Sequence, residues 1–447
     1  MSLFGAINTA ISGLGAQSAA FGNISDNVAN SQSTGFKRID THFEDYLTTS
    51  TPTQNQPGAV VAHPDYINNV QGSVSQTDNP LALAITGQGF FAVSQATGQS
   101  TSSASAPTFD TQQYYTRDGN FTLNSSGFMV NDAGQYLNGW AVNSTTGAVD
   151  QNALAPIQIT QRSYNPVAST NVNLSANLPA TPAAGTATAS SPLSSQITVY
   201  DALGTAHTVA LNWSQTSANN WSVQISVPDD TTGNTDVGTA NVVFGSASGN
   251  PVPEGTIGSI AASPTDPGTI ITSGYAAGQP ATLQFTTNFN SGSQAINLNI
   301  GTYGSATGVT QFAGTTYNLL GLTQDGVPPG SFSGVTLQQN GDVIVNYNNG
   351  QTRTIAQIPI ITFNAPDQLQ RQNGQAFTAT LNSGTPLANA TGVNGAGNLV
   401  TSALEGSNVD IANQFSALIV TQQAYSANAK VVTSGNQMLQ ATLSMLA

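Results

Sequence analysis

The stretch SNVDIANQFSALIVTQQAYSANAKVVTSGNQMLQATLSMLA, residues 407–447, decides how the rest of the chain is organised. From Phe415, one stripe recurs in alternating steps of three and four: Leu418, Gln422, Tyr425, Ala429, Val432, Asn436, Leu439, Leu443. That spacing keeps the stripe on one face of an α-helix and reads as a heptad seam. Ser407 is placed to cap the helix with Asp410 three residues on, and Glu405 and Asp410 set negative charge near the positive end of its dipole. The helix is expected from about Asn408 to the end of the stretch, roughly 60 Å at ~1.5 Å per residue. It cannot bury its seam alone. The other heptad in the chain lies at the opposite terminus: Ile7, Ile11, Leu14, Ser18, Phe21, Ser25 and Val28, with Ser2 as cap and an end near Asn30. The two termini are therefore expected to pair, which makes everything between them a nested insertion.

The chain has 447 residues, enough for several domains, and 38% hydrophobic content, enough for packed cores. Its charge is unusual. Only 6% of residues are charged, against a usual ~25%. The net charge is −14, and no Lys or Arg occurs between Arg162 and Arg353. A nucleic-acid partner needs a basic footprint to neutralise phosphate, which this chain lacks. An acidic membrane surface is disfavoured for the same reason. There is no cysteine, so neither a disulfide nor a thiolate metal site can form. Residues 1–15 lack a basic region followed by a sustained apolar run, and no segment nears ~18 apolar residues, so neither a cleaved signal peptide nor membrane insertion is expected.

Between the termini the pattern is β. After the first helix, Gly35, Phe36, Lys37 and Arg38 form the densest basic spot and open a connector expected to dock through Phe43, Tyr46 and Leu47. Short alternating strands follow from Val74, including Leu81, Leu83 and Ile85, then Phe90, Phe91 and Val93. Ala96 to Pro107 reads as a surface loop. In the charge-poor middle, Ile197 and Val199 face Val209, Leu211 and Trp213 across the turn Asp201 to Gly204, and Trp221, Val223, Ile225 and Val227 continue the alternation. Asn340-Gly341 and Asn349-Gly350 are hairpin signals.

The expected fold class is α+β and multidomain. Residues 1–30 with 407–447 form a terminal helical coiled-coil pair, 31–73 with 366–406 an extended connector, and 74–150 with 330–365 a nested inner β domain. Residues 151–329 form an outer β insertion, read either as one sandwich or as two subdomains, 165–248 and 268–329.

No catalytic, cofactor or metal site is expected. His42, His63 and His207 are far apart and none has a two-His metal spacing. No nucleophile elbow, phosphate loop or dinucleotide fingerprint is present. Asp118, Asp201 and Glu254 are the carboxylates that a glycosidase reading would use, but each sits in a turn or beside Gly or Pro, where Asp is favoured for local backbone bonding. The seams point elsewhere. They carry Ser18, Ser25, Gln422 and Asn436 at core-type positions with few flanking charges, a mixture better suited to contact among many copies than to an isolated pair. The subunit-assembly residues are Ile7, Ile11, Leu14, Phe21 and Val28 with Phe415, Leu418, Gln422, Tyr425, Val432, Asn436, Leu439 and Leu443.

These residues also carry a resemblance. Ser407-Asn408-Val409-Asp410, Gln422, Ala424-Tyr425, Asn428-Ala429 and Gln437-Met438-Leu439 resemble the C-terminal signature of bacterial flagellar rod and hook proteins. Asn27-Val28-Ala29-Asn30 and Thr34-Gly35-Phe36-Lys37 are similar to the N-terminal signature. Asn79-Pro80-Leu81, Gly87-Gln88-Gly89-Phe90-Phe91 and Tyr115-Thr116-Arg117-Asp118-Gly119-Asn120-Phe121 resemble the first β domain of that family. The middle insertion carries no such signature. Distal rod members resemble both ends but are shorter, so the length favours a hook subunit. The resemblance implies a curved, bendable tube enclosing an export channel, located outside the cell. It also implies export without cleavage by the flagellar type III apparatus, with the rod protein, the hook cap and the hook–filament junction protein as partners. The alternatives are a distal rod subunit, or a secreted β-rich carbohydrate-binding or hydrolytic protein.

Overall fold

The computed structural model describes residues 3–51, 54–99, 107–143, 146–233, 235–246, 249–263 and 270–446. It is a mostly β-rich, multidomain chain with two long helices, α1 (Leu3–Ala29) and α2 (Ile411–Leu446). It divides into two compact units. Unit 1 comprises Met1–Gln161, Ser333–Asn346 and Thr352–Ala447, and unit 2 comprises Arg162–Phe332 and Tyr347–Gln351.

In unit 1 the helices pack antiparallel: Asn27 meets Gln414, Gly13 meets Asn428 and Ile7 meets Gly435. The approach is close because the facing residues are small. A Cβ on Gly13 would come within 2.9 Å of Asn428 Nδ2, and one on Gly435 within 2.8 Å of Ile7 Cγ1. α2 begins at Ile411 rather than Asn408, because Asp410 is itself the cap: its Oδ1 accepts from Ala412 N at 2.9 Å and Asn413 N at 3.2 Å. Ser407 Oγ accepts from Val409 N instead. Ser2, read as the cap of α1, lies outside the described residues.

Residues 31–73, expected as an extended connector, contain an antiparallel hairpin of β1 (Ile39–Thr51) and β2 (Gln54–Tyr66). Phe43, Tyr46 and Leu47 are not buried anchors; they are 42–51% exposed, with Phe43 lining an open groove beside Ala10 and Gly13 of α1. Beyond the hairpin come β3 (Val74–Gln76) and β4 (Leu83–Thr86), whose Leu83, Ala84 and Ile85 are fully buried. Strands from both sides of the insertion share one sheet, since Gln135–Val142 pairs with Phe91–Gln99 and also with Thr352–Gln357. Residues 366–406, likewise expected as connector, add strands to this region: Ala376–Thr378 pairs with Tyr114–Thr116, Asn398–Thr401 with β4 and Ala403–Glu405 with β3. Their few apolar positions give too short an alternation to read as strands without their partners. In the tract read as a surface loop, Phe91–Gln99 pairs with Pro107–Phe109, and 100–106 lie outside the described residues.

Unit 2 carries a five-stranded antiparallel meander (Leu193–Tyr200, Ala206–Ser217, Asn220–Ser226, Asp236–Phe244, Ile257–Ala262) and a six-stranded sheet that includes Asn171–Asn177, Pro280–Asn288 and Ser293–Thr302. The hairpin around Asp201 to Gly204 forms with Ile197 opposite Val209, and Asp201 Oδ1 closes its turn by accepting from Leu203 N and Thr205 N. Val209, Leu211, Trp213, Trp221, Val223 and Ile225 alternate inward as their period predicts. Together with Leu283, Phe285, Leu298 and Ile300 from the other sheet they form one continuous core, so the strand groups on either side of Gly249 to Pro267 meet across a single apolar layer.

Candidate functional site

In a chain with seven Lys and Arg residues, four converge on one region of unit 1. Lys37, Arg38, Arg117 and Arg371 all meet carboxylates there. At its centre Glu405, with no solvent exposure, accepts from Lys37 Nζ at 2.7 Å and from Arg117 Nη1 at 2.9 Å. Gly72 N donates to the same carboxylate at 2.8 Å. Lys37 also donates to Val70 O, and Arg117 to Ile85 O and Gly87 O. Two buried cations thus share one buried anion. Burial holds the Lys37 ammonium below the usual lysine range, at about 8, because desolvation outweighs the Glu405 attraction and Arg117 adds repulsion. Glu405 therefore has a different role from the helix-dipole charge expected of it.

Around this cluster, side-chain amides bind the chain ends together. Asn27, fully buried on α1, accepts from Ile39 N and donates to Ile39 O, both at 2.8 Å, and reaches Gln414 Oε1 on α2 at 3.1 Å. Asn408 accepts from Arg38 N at 2.7 Å and donates to Ile67 O and Val70 O. Gly35, at φ +68°, donates to Glu405 O, and a Cβ there would collide with the backbone of Arg117 and Asp118. Phe36 is buried beneath the Arg371 guanidinium, 4.4 Å from its ring centroid, and Arg371 in turn meets Asp26 of α1 at 3.2 Å. Arg38 is half-buried and pairs with Asp40. The connector residues Gly35 to Arg38 are thus the place where both chain ends and the inner β strands meet.

Neighbouring Asp118 is 4% exposed and accepts from Asn120 N. Burial pushes its carboxyl up to about 6, with the Asp132 charge adding to the shift. Because the folded value lies above the ordinary 3.8, the folded chain holds an extra proton between the two, and stability grows as pH falls through that window. Unit 1 should gain on the order of 2–3 kcal/mol between pH 7 and about pH 4 from this group. Asp118→Asn, which keeps the acceptor for Asn120 N, should raise stability at pH 7 and flatten the slope. Urea unfolding of both proteins across this range checks it; an unchanged slope would assign the pH dependence elsewhere.

The predicted seam residues lie on both sides of this packing. Ile7, Leu14, Val28, Leu418, Val432 and Leu439 are half-buried, whereas Ile11, Phe21, Phe415, Gln422, Tyr425, Asn436 and Leu443 are exposed. The face buried within the chain is a neighbouring stripe: Ala10, Ala16, Ala20, Ile24 and Asn27 on α1, and Gln414, Thr421 and Gly435 on α2. Small side chains carry much of the intrachain contact because they let the backbones approach; Ile11, Phe21, Phe415, Tyr425 and Leu443 are left on the outside. Phe21, Gln422 and Tyr425 converge with Gln17 and Thr421 around an open groove of about 470 Å³. Among the described residues no group of His, Asp or Glu could hold a metal ion, and no helix is long and apolar enough to cross a membrane.

Three family models match the chain. Residues 84–177 match the flagellar hook protein FlgE/F/G D1 domain, 170–327 the flagellar basal body protein FlaE D2 domain, and 400–445 the flagellar basal body rod FlgEFG protein C-terminal region. The flagellar hook protein FlgE of Brucella abortus is 28% identical over 445 residues, covering 100% of both chains. That of Escherichia coli is 27% identical, covering 98% of this chain and 100% of its own. The chain belongs to the flagellar hook protein family. A crystal structure of the Helicobacter pylori flagellar hook protein FlgE2 aligns with 14% identity and a TM-score of 0.44, covering 73% of this chain and 98% of that one. The matched segments 84–177 and 400–445 contain Arg117 and Glu405. Sequence reading singled out Lys37 but missed Arg117 and Glu405 as its partners. The signal was available in the scarcity of charge: in a nearly uncharged chain Lys37 and Arg117 each sit inside a signature stretch, and Glu405 lies two residues before another.

Proposed function

We propose that this chain is the structural subunit of the bacterial flagellar hook, assembling with many copies of itself into a curved, bendable tube. The observation that carries the reading is the pair of terminal helices, joined through small residues on one side and presenting Ile11, Phe21, Phe415, Tyr425 and Leu443 to the outside on the other. An uncharged apolar stripe of this length on a chain rich in Ser, Thr, Asn and Gln calls for a cover of the same kind. Copies related by a rotation that does not close supply it repeatedly and build an open helical tube. The paired helices, acting as a coiled coil supported by neighbours, form the inner layer around a channel. The inner β domain from about Val74 forms the middle layer of that tube, and the central insertion the outside.

Bending requires each line of subunits to shorten on the inner arc and lengthen on the outer. An outer region with no Lys or Arg between Arg162 and Arg353 permits this, because it has few fixed ion pairs to lock one register. The role is that of a structural joint rather than an enzyme. The partners in this reading are the rod protein, the hook cap, the junction protein and the type III export apparatus, with export proceeding without a cleaved signal.

The test is gold-antibody labelling of cells and purified basal bodies by electron microscopy, with the antibody raised against Gln151–Pro329. Label on a short curved segment outside the envelope is expected. Label on the straight rod would favour a rod subunit, and diffuse label a secreted soluble protein.

A further inference from the structure

The ion cluster at Glu405 has a topological side that the assembly reading does not use. Residues 397–406 lie as a strap across unit 1. Leu399 pairs with Ile85 of β4, and Leu404 with Ser75 of β3. Along the way Gly397 N donates to Gln88 O, Ser402 N to Ala82 O and Gly406 N to Ser73 O, while Thr77 N donates to Ser402 O. Among the described residues β3 and β4 have no strand partner other than this strap. β4 is nonetheless wholly buried through Leu83, Ala84 and Ile85. Lys37 and Arg117 likewise find their carboxylate only on the strap. Removing it would strand two buried cations and leave a buried strand without its ladder.

We propose that residues 397–406 are a closing latch, which leaves β3, β4 and the Lys37–Arg117 pair unfinished until the segment carrying Glu405 arrives. The strap's partners lie at Lys37, residues 72–88 and Arg117, so its docking must wait for nearly the whole chain and for closure of a very long loop. The meander of unit 2 joins strands that follow one another in sequence, and its contacts need no such wait. A chain that emerges from its N-terminus therefore completes the meander of unit 2 while the region around Lys37 stays open. The register of α2 against α1 follows strap docking, because Asn408, between the strap and α2, fixes Arg38 and Val70.

Pulse-labelling hydrogen exchange during refolding of the full-length chain tests the order. Peptides covering Leu211–Ile225 should gain protection first, and those covering β3 and β4 should gain it together with Asn398–Glu405 in the slowest phase. Protection of β4 ahead of the strap would overturn the latch. At equilibrium, Glu405→Gln should speed exchange in β3 and β4 by at least about 100-fold, as expected for uncompensated buried charge. Exchange in unit 2 should stay unchanged. An equal rise in both units, or none in β4, would count against the proposal. Should the variant fail to fold, the order measured in the unaltered chain still decides.

Discussion

Replacing Glu405 by alanine is expected to destabilise unit 1 by about 3–5 kcal/mol, the loss that follows removal of one partner from a buried ion pair. The size follows from the geometry. Lys37 and Arg117 are 3% and 1% exposed, and neither can turn to water without undoing its bonds to Val70, Ile85 and Gly87. Most of the loss reflects the stranded cations rather than the worth of the attraction. Combining Glu405→Leu with Lys37→Met and Arg117→Met should consequently restore much of it, since apolar replacement of a whole buried cluster is often neutral. Hydrogen exchange of the strand Gln135–Val142, which carries the buried Trp140, measures the effect in unit 1. A loss under about 1 kcal/mol would mean that water reaches the cluster and screens it.

The second large effect belongs to unit 2. Trp213 and Trp221 are completely buried on neighbouring strands, with Trp213 paired between Leu193 and Val223. Among the described residues their indole N–H groups meet no protein acceptor, so their contribution within the chain is chiefly apolar packing. Trp213→Ala should cost about 3–5 kcal/mol through lost burial and the cavity left behind. Trp213→Phe should cost much less, because it keeps an aromatic ring and removes an orphaned donor. Urea unfolding with exchange read on Leu211–Ile225 separates the two variants. Equal losses would mean that the indole N–H is satisfied in solution and carries part of the stability.

The parts of this architecture that were legible in the sequence are those with a repeating local period. The terminal helices, the alternation from Val209 to Ile225, and the Asn-Gly turns follow from spacing alone. What was not legible depends on partners far away in sequence. The short strands Asn398–Thr401 and Ala403–Glu405 have no period of their own and exist because β4 and β3 complete them. The choice between neighbouring helix stripes was likewise hidden. A heptad search rewards large apolar residues such as Phe21 and Tyr425, whereas close helix approach is decided by Gly13, Ala16, Ala20 and Gly435. Glu405 reads from the sequence as a helix-dipole charge because it precedes α2, and only its burial between Lys37 and Arg117 reveals the stronger interaction.

That division of labour between stripes, small residues within the chain and large ones between chains, is the central claim. Electron cryomicroscopy of the polymer formed by the full-length chain tests it most directly. Phe21, Phe415, Tyr425 and Leu443 should lie buried between neighbouring copies, with Gly13 and Gly435 still facing their partners within each copy. Those four side chains left open to solvent in a polymer held together elsewhere would contradict it.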